Sequence, residues 1–248
     1  MSIELKESDI LSKIKNPLLL THYHEFQGIT NLKIKCTRLD NGVRASNEYI
    51  DGSDEFNIML KNNWIEPDFA HELIHGYLMF VDKYAIIFCD NPVSQLIRDY
   101  MEDILVHRKM FNVYHFSPYD SIYIKNLKRW ARDLFKGSIL VDSRWDPKGK
   151  ICKTLHKSFL YIQAWELNNL IGNDHIKKFI TSFERRYKKE EEYSLAKKIM
   201  EVIKANNNLR DLEGYSNALN NIATIKSLGL SEPKIKHFEK VTKGYILI

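Results

Sequence analysis

The stretch DFAHELIHGYLMF, Asp68 to Phe80, holds two histidines four residues apart, with a glutamate directly after the first. In an α-helix, residues four apart lie on one face, about 6 Å apart along the axis. His71 and His75 can therefore aim their rings at one point, as two imidazoles must when they share one Zn²⁺ at about 2.0–2.1 Å each. Glu72 is turned by about 100° from His71 and about 60° from His75, on the shoulder of the same face. From there its carboxylate can reach a water on the metal without being a ligand. Zinc lowers the pKa of a bound water to about 7. A neighbouring carboxylate can accept that proton and later deliver it to a leaving amine. His-Glu-x-x-His is thus what metal-assisted hydrolysis requires of one helical turn.

The elements around the motif must hold it in place. Glu66-Pro67 opens a helix, since proline suits a first turn. Ala70, Leu73, Ile74, Tyr77, Leu78 and Val81 form an apolar stripe at spacings of three and four. Packing explains that stripe but does not require His71, Glu72 and His75; the plain alternative is an amphipathic helix that carries two histidines by chance. A small residue, Gly76, follows the second histidine. Upstream the pattern has a period of two. Leu32, Ile34 and Cys36 alternate with Lys33, Lys35 and Thr37, and Phe56, Ile58 and Leu60 alternate with Asn57, Met59 and Lys61. With VRASNEYI between the turn signals Asp40-Asn41-Gly42 and DGSD at 51–54, this predicts a three-stranded antiparallel meander.

The motif after a small sheet resembles the zincin superfamily of zinc metallopeptidases, over residues 30–112 at most. The resemblance implies that His71 and His75 bind zinc, that Glu72 is the general base, and that a third ligand follows. In the gluzincin branch this is a glutamate on a later helix. The metzincin extension is absent, because GYLMFVDKYA has no histidine. A helix predicted over 94–112 offers RDYMEDILVHRKM, where Glu102 is the first choice, 27 positions after His75. Asp99 as ligand with Asp103 in support is a rival arrangement, and His107 is another. The supporting acid that gluzincins often carry four residues after the ligand is replaced by Val106, with Asp103 the available substitute. Oxyanion donors are open among Tyr114, His115, Tyr119, Tyr123 and His156. A peptide substrate would pair with an exposed edge of the sheet.

The remaining chain sets bounds. The 248 residues suffice for one large domain or two small ones. Residues 4–20 read as a short helix ended by Asn16-Pro17. Segments near 121–136, 150–171, 174–206, 211–228 and 232–241 read as helical. His22-Tyr23-His24 would lie in a strand or loop, where packing or surface histidines are favoured over a metal pair. Three widely spaced cysteines, Cys36, Cys89 and Cys152, argue against a disulfide framework. The N-terminus lacks the pattern of a signal peptide, and no apolar run would span a bilayer, so a soluble cytoplasmic protein is expected. Residues 1–122 hold 12 Lys+Arg against 18 Asp+Glu, and residues 123–248 hold 25 against 14. The basic half, with KNLKRWARDLFK at 125–136, admits a role on nucleic acid, but a solvated basic helix face is the favoured account. ERRYKKEEEY at 184–193 likewise reads as a solvated surface.

The expectation is an α+β, zincin-like fold. Residues 1–120 form a catalytic core with a small, mostly antiparallel sheet packed on the active-site helix. Residues 121–248 form a mostly helical basic part, in the same domain or a separate lobe. The expected activity is that of a zinc-dependent metallopeptidase acting on a protein or peptide. The alternatives are a non-catalytic binding protein on the same scaffold and a nucleic-acid-associated protein.

Overall fold

A computed structural model describes residues 3–39, 44–49, 52–88, 91–117, 127, 149–230, 234–241 and 244–247. The fold is α+β, with most of its described residues in helices and a small mixed sheet. The chain divides into two compact units that do not follow a cut at residue 120. One is Met1–Tyr84 with Lys109–Phe116 and His237–Ile248; the other is Ala85–Arg108 with Ser117–Lys236.

The first unit begins with a two-residue strand β1 (Ile3–Glu4) and a short helix α1 (Glu7–Leu11). The helix expected over 4–20 is not continuous, and Asn16-Pro17 starts a helix instead of ending one. Asn16 caps α2 (Pro17–Ile29), its side-chain oxygen accepting from Leu18 and Leu19 N–H at 3.1 Å each, while Pro17 fills a first-turn position that needs no donor. His22 and His24 consequently lie on a helix, not in a strand or loop.

Strands β2 (Asn31–Cys36), β3 (Ala45–Tyr49) and β4 (Glu55–Leu60) follow. The sheet order is β1-β2-β4-β3, with β2 and β4 parallel and β3 antiparallel to β4. The expected meander is therefore corrected to a mixed sheet in which β4 lies between β2 and β3. Alternation assigns faces, and these hold: Ile34, Phe56, Ile58 and Leu60 are buried together. On the other face Lys33 pairs with Glu55, and Lys35 donates to Asn57 at 2.7 Å. Alternation carries no information on strand order or direction, and β4, whose Phe56, Ile58 and Leu60 are all fully buried, takes the position with two neighbours.

Helix α3 (Glu66–Phe80) and α2 cover the apolar side, through Phe69, Ala70, Leu73, Ile74 and Leu78 of α3 and Leu19, Tyr23 and Phe26 of α2. A hairpin of β7 (Phe238–Val241) and β8 (Gly244–Leu247) closes one end of this core. Its Phe238 and Tyr245 rings meet Tyr49 and Phe80 at centroid distances of 4.5–5.0 Å. The Tyr49 hydroxyl donates to the Tyr245 carbonyl at 2.7 Å.

The second unit contains β5 (Ile86–Phe88) paired antiparallel with β6 (Lys234–Lys236), and α4 (Pro92–Arg108). It also holds α5 (Lys150–Ile171), α6 (Asp174–Tyr187), α7 (Glu191–Ala205) and α8 (Leu212–Ala223). The segment expected as one helix at 174–206 is broken at 188–190. The helix expected over 232–241 is replaced by β6 and β7, short strands whose Lys-Ile-Lys alternation is too brief to stand out from a helical pattern. Of the helix expected at 121–136, all but Leu127 lies outside the described residues. Helix α5 ends at Gly172, whose φ of 59° suits a residue without Cβ, and Asn173 caps α6 by accepting from His175 N–H at 2.7 Å. Among the described residues no helix is long and apolar enough to cross a membrane.

Candidate functional site

The seat of α3 is fixed near both ends of its first three turns. Asp68 accepts from the Ile65 N–H at 2.9 Å and from Arg44 Nε at 3.0 and 2.8 Å, tying the helix start to the chain entering β3. Further along, Gly76 lies against the aromatic floor. A Cβ there would fall 2.6 Å from Phe26 Cζ and 2.9 Å from Phe56 Cζ. Glycine lets the helix approach this closely, which sets its depth on the sheet. The small residue after the second histidine thus has a packing role.

On this turn the Nε2 atoms of His71 and His75 are 3.3 Å apart, with ring centroids at 4.9 Å and planes at 69°. Two nitrogens at about 2.0–2.1 Å from one tetrahedral ion lie about 3.3–3.4 Å from each other. The pair therefore fits a shared metal. Two neutral imidazoles can also share one proton at this separation, one as donor and one as acceptor. His75 and Glu72 are buried and His71 half-buried. Glu72 Oε2 accepts from Asn47 Nδ2 at 2.7 Å. Asn47 stands on β3, the edge strand, opposite Ile58 of β4. The edge strand of the sheet thus reaches the motif glutamate directly. Nothing in the sequence pattern marked Asn47; its only signal is an amide in the middle of a short strand.

The other expected site residues fall in different places. Glu102 is on α4 in the second unit and is buried. Its negative charge favours the charged form of Arg98, one turn earlier. Asp103 is half-buried and accepts from Gln163 Nε2 of α5 at 3.2 Å. Asp99 lies beside Arg98, whose Nε and Nη2 donate to it at 3.3 Å. Burial, followed by the repulsion of Glu102 and Asp103, outweighs Arg98 and holds the Asp99 carboxyl up at about 6. His107 and Val106 are buried on the same helix.

Of the oxyanion candidates, Tyr114 is in the first unit, where its hydroxyl and His22 Nδ1 are 2.5 Å apart and its carbonyl accepts from Asn16 Nδ2 at 2.7 Å. Burial raises the Tyr114 hydroxyl and lowers the His22 imidazole from their ordinary ranges. His115 has a φ of 55° and is exposed. His156 is buried on α5, with its Nδ1 against the Tyr100 hydroxyl, and Tyr100 stacks on Phe159 at 4.9 Å. Burial, helped by Lys157, lowers His156 to about 4. Tyr119 and Tyr123 lie outside the described residues. His22 and His24 do not act together: His22 meets Tyr114 and Tyr77, while His24 Nδ1 is 3.4 Å from Gln27.

No protein-family model, curated protein or solved structure matches this chain.

Proposed function

We propose that the chain is a zinc-dependent metallopeptidase of zincin type. The observation that carries this reading is the 3.3 Å separation of the His71 and His75 Nε2 atoms on the turn that also holds Glu72. His71 and His75 are the proposed ligands. Glu102 is the carboxylate that the resemblance puts first as the third ligand. When bound, zinc supplies polarisation of the scissile carbonyl and a lowered pKa for water. Glu72 accepts the water's proton and returns it to the leaving amine. Asn47 holds one oxygen of that carboxylate and so limits its rotation. The substrate proposed is a protein or peptide, whose main chain would pair along the open side of β3.

The test is metal analysis of the purified chain together with mass spectrometry of a peptide library incubated with it. About one zinc per chain and new peptide termini are expected. Glu72→Gln should retain the zinc and stop cleavage. Cleavage that survives Glu72→Gln would remove Glu72 as the base, and a chain that takes up no zinc would remove the reading itself.

A further inference from the structure

Helix α6 and the two residues after it hold six Lys+Arg against two Asp+Glu, between positions 174 and 189. On a merely solvated face the two signs would interleave and cancel. Here they are separated. Glu184 accepts from the Tyr161 hydroxyl of α5 at 2.6 Å, and Asp174 takes the first turn, where the helix dipole favours a negative charge. Just beyond, Glu192 pairs with Lys157 of α5 at 3.0 Å. Lys177, Lys178, Arg186, Lys188 and Lys189 are all exposed, and none of them pairs with a carboxylate among the described residues. The dipole rewards cations at the end of the helix, so Arg186, Lys188 and Lys189 aid its stability. It does not reward Lys177 and Lys178 near the start.

The chemistry of the face narrows its partner. Ile176, Phe179, Phe183 and Tyr187 are buried, with Phe183 stacked on Tyr161 at 4.9 Å. The apolar side of α6 is thus used within the unit, and an amphipathic helix on a lipid surface needs that side free. No exposed residue of α6 is apolar or aromatic, so the face also lacks the anchors of a protein interface. It offers cations with the hydroxyls of Thr181 and Ser182 between them, the side chains that hold phosphate oxygens without reading bases. The pairs Lys177-Lys178 and Lys188-Lys189 are about 16 Å apart along the axis. A nucleic-acid duplex presents about ten phosphate charges over that length.

We propose that the outer face of α6 is a docking surface for the phosphodiester backbone of nucleic acid, bound through charge and without regard to base sequence. The surface lies wholly in the second unit and serves whether or not His71 and His75 hold a metal.

The test is fluorescence anisotropy of a short labelled duplex, as DNA and as RNA, titrated with the full chain at 50 to 200 mM salt. Affinity for at least one duplex is expected to fall by about 100-fold over that range, as for about four neutralised phosphates. The double variants Lys177→Gln with Lys178→Gln, and Lys188→Gln with Lys189→Gln, should each lower the slope of log affinity against log salt by about 2. Arg210→Gln with Lys226→Gln removes the same charge from exposed positions outside α6 and should leave the slope unchanged. Failure of both duplexes to bind at 50 mM salt would overturn the proposal, as would a control pair that lowers the slope as much as the lysine pairs do. Capture by anionic phosphatidylserine vesicles that depends on the α6 lysines, without binding to either duplex, would assign the face to a membrane surface and also overturn it.

Discussion

Helices α3 and α4 both bury polar side chains, yet they satisfy them in opposite ways. On α3 each polar group has a partner of complementary chemistry fixed by nearby chain: Asp68 with Arg44, Glu72 with Asn47, and His71 with His75. On α4 three carboxylates, Asp99, Glu102 and Asp103, crowd within five positions around one Arg98, and Asp99 is pushed up to about 6. The sheet supplies the order on α3, whereas α5 supplies it on α4 through Gln163 and His156. A local spacing rule can describe the first helix. The second depends on side chains more than fifty positions away.

The largest effect expected from this contrast is on α3. Glu72→Gln should lower peptide hydrolysis by about 10²–10⁴-fold, the usual range for removing a general base, while zinc content stays at the wild-type level. A drop of less than tenfold would place the base elsewhere.

Next in size is a pH effect on the α4–α5 side. His156 has its folded pKa lowered to about 4 from 6.5, so the unfolded chain binds the proton more tightly. Its contribution is fully present above pH 6.5 and is lost as pH falls through about 4. The swing approaches about 3 kcal/mol. His156→Phe should flatten the loss of urea stability between pH 7 and pH 4.5 relative to wild type, even if its stability at pH 7 is lower because Tyr100 loses its acceptor. Parallel pH curves for the two proteins would contradict the buried neutral state.

Gly76→Ala tests the seat of α3. The added Cβ meets Phe26 and Phe56 and should cost about 1–3 kcal/mol, read as a lower urea midpoint. The companion change Gly28→Ala, where a Cβ meets nothing within 4 Å, should not lower the midpoint. Equal effects from the two would show that α3 can shift without loss. The smallest effect is expected from Asn47→Ala, about 1–2 kcal/mol for a hydrogen bond to a charged group, with zinc content unchanged. If zinc content falls with it, Asn47 acts on the histidines and not on Glu72 alone.

The same contrast explains what could be read in advance. Helix α3 was legible because Pro67 marks its start and Leu73, Ile74, Tyr77 and Leu78 recur at helical spacing. The faces of β2 and β4 were legible from alternation, but their parallel pairing was not, since a period of two is the same in either direction. Asn16-Pro17 carries two meanings, a stop for the helix before it and a cap for the helix after it; the cap prevails because Asn16 satisfies two N–H groups of α2. At the site, the two histidines and Glu72 announce themselves by spacing. The choice of a third ligand does not, because Asp99, Glu102 and Asp103 lie within one turn or so of one another and differ mainly in their partners.

The central claim is that His71 and His75 jointly hold a metal ion, and zinc stoichiometry across a set of variants tests it most directly. About one zinc per chain is expected in wild type and in Glu72→Gln, with zinc lost in His71→Ala and in His75→Ala while each remains folded by circular dichroism. A folded His75→Ala protein that retains the wild-type zinc, or a wild-type protein that takes up none, would contradict the account.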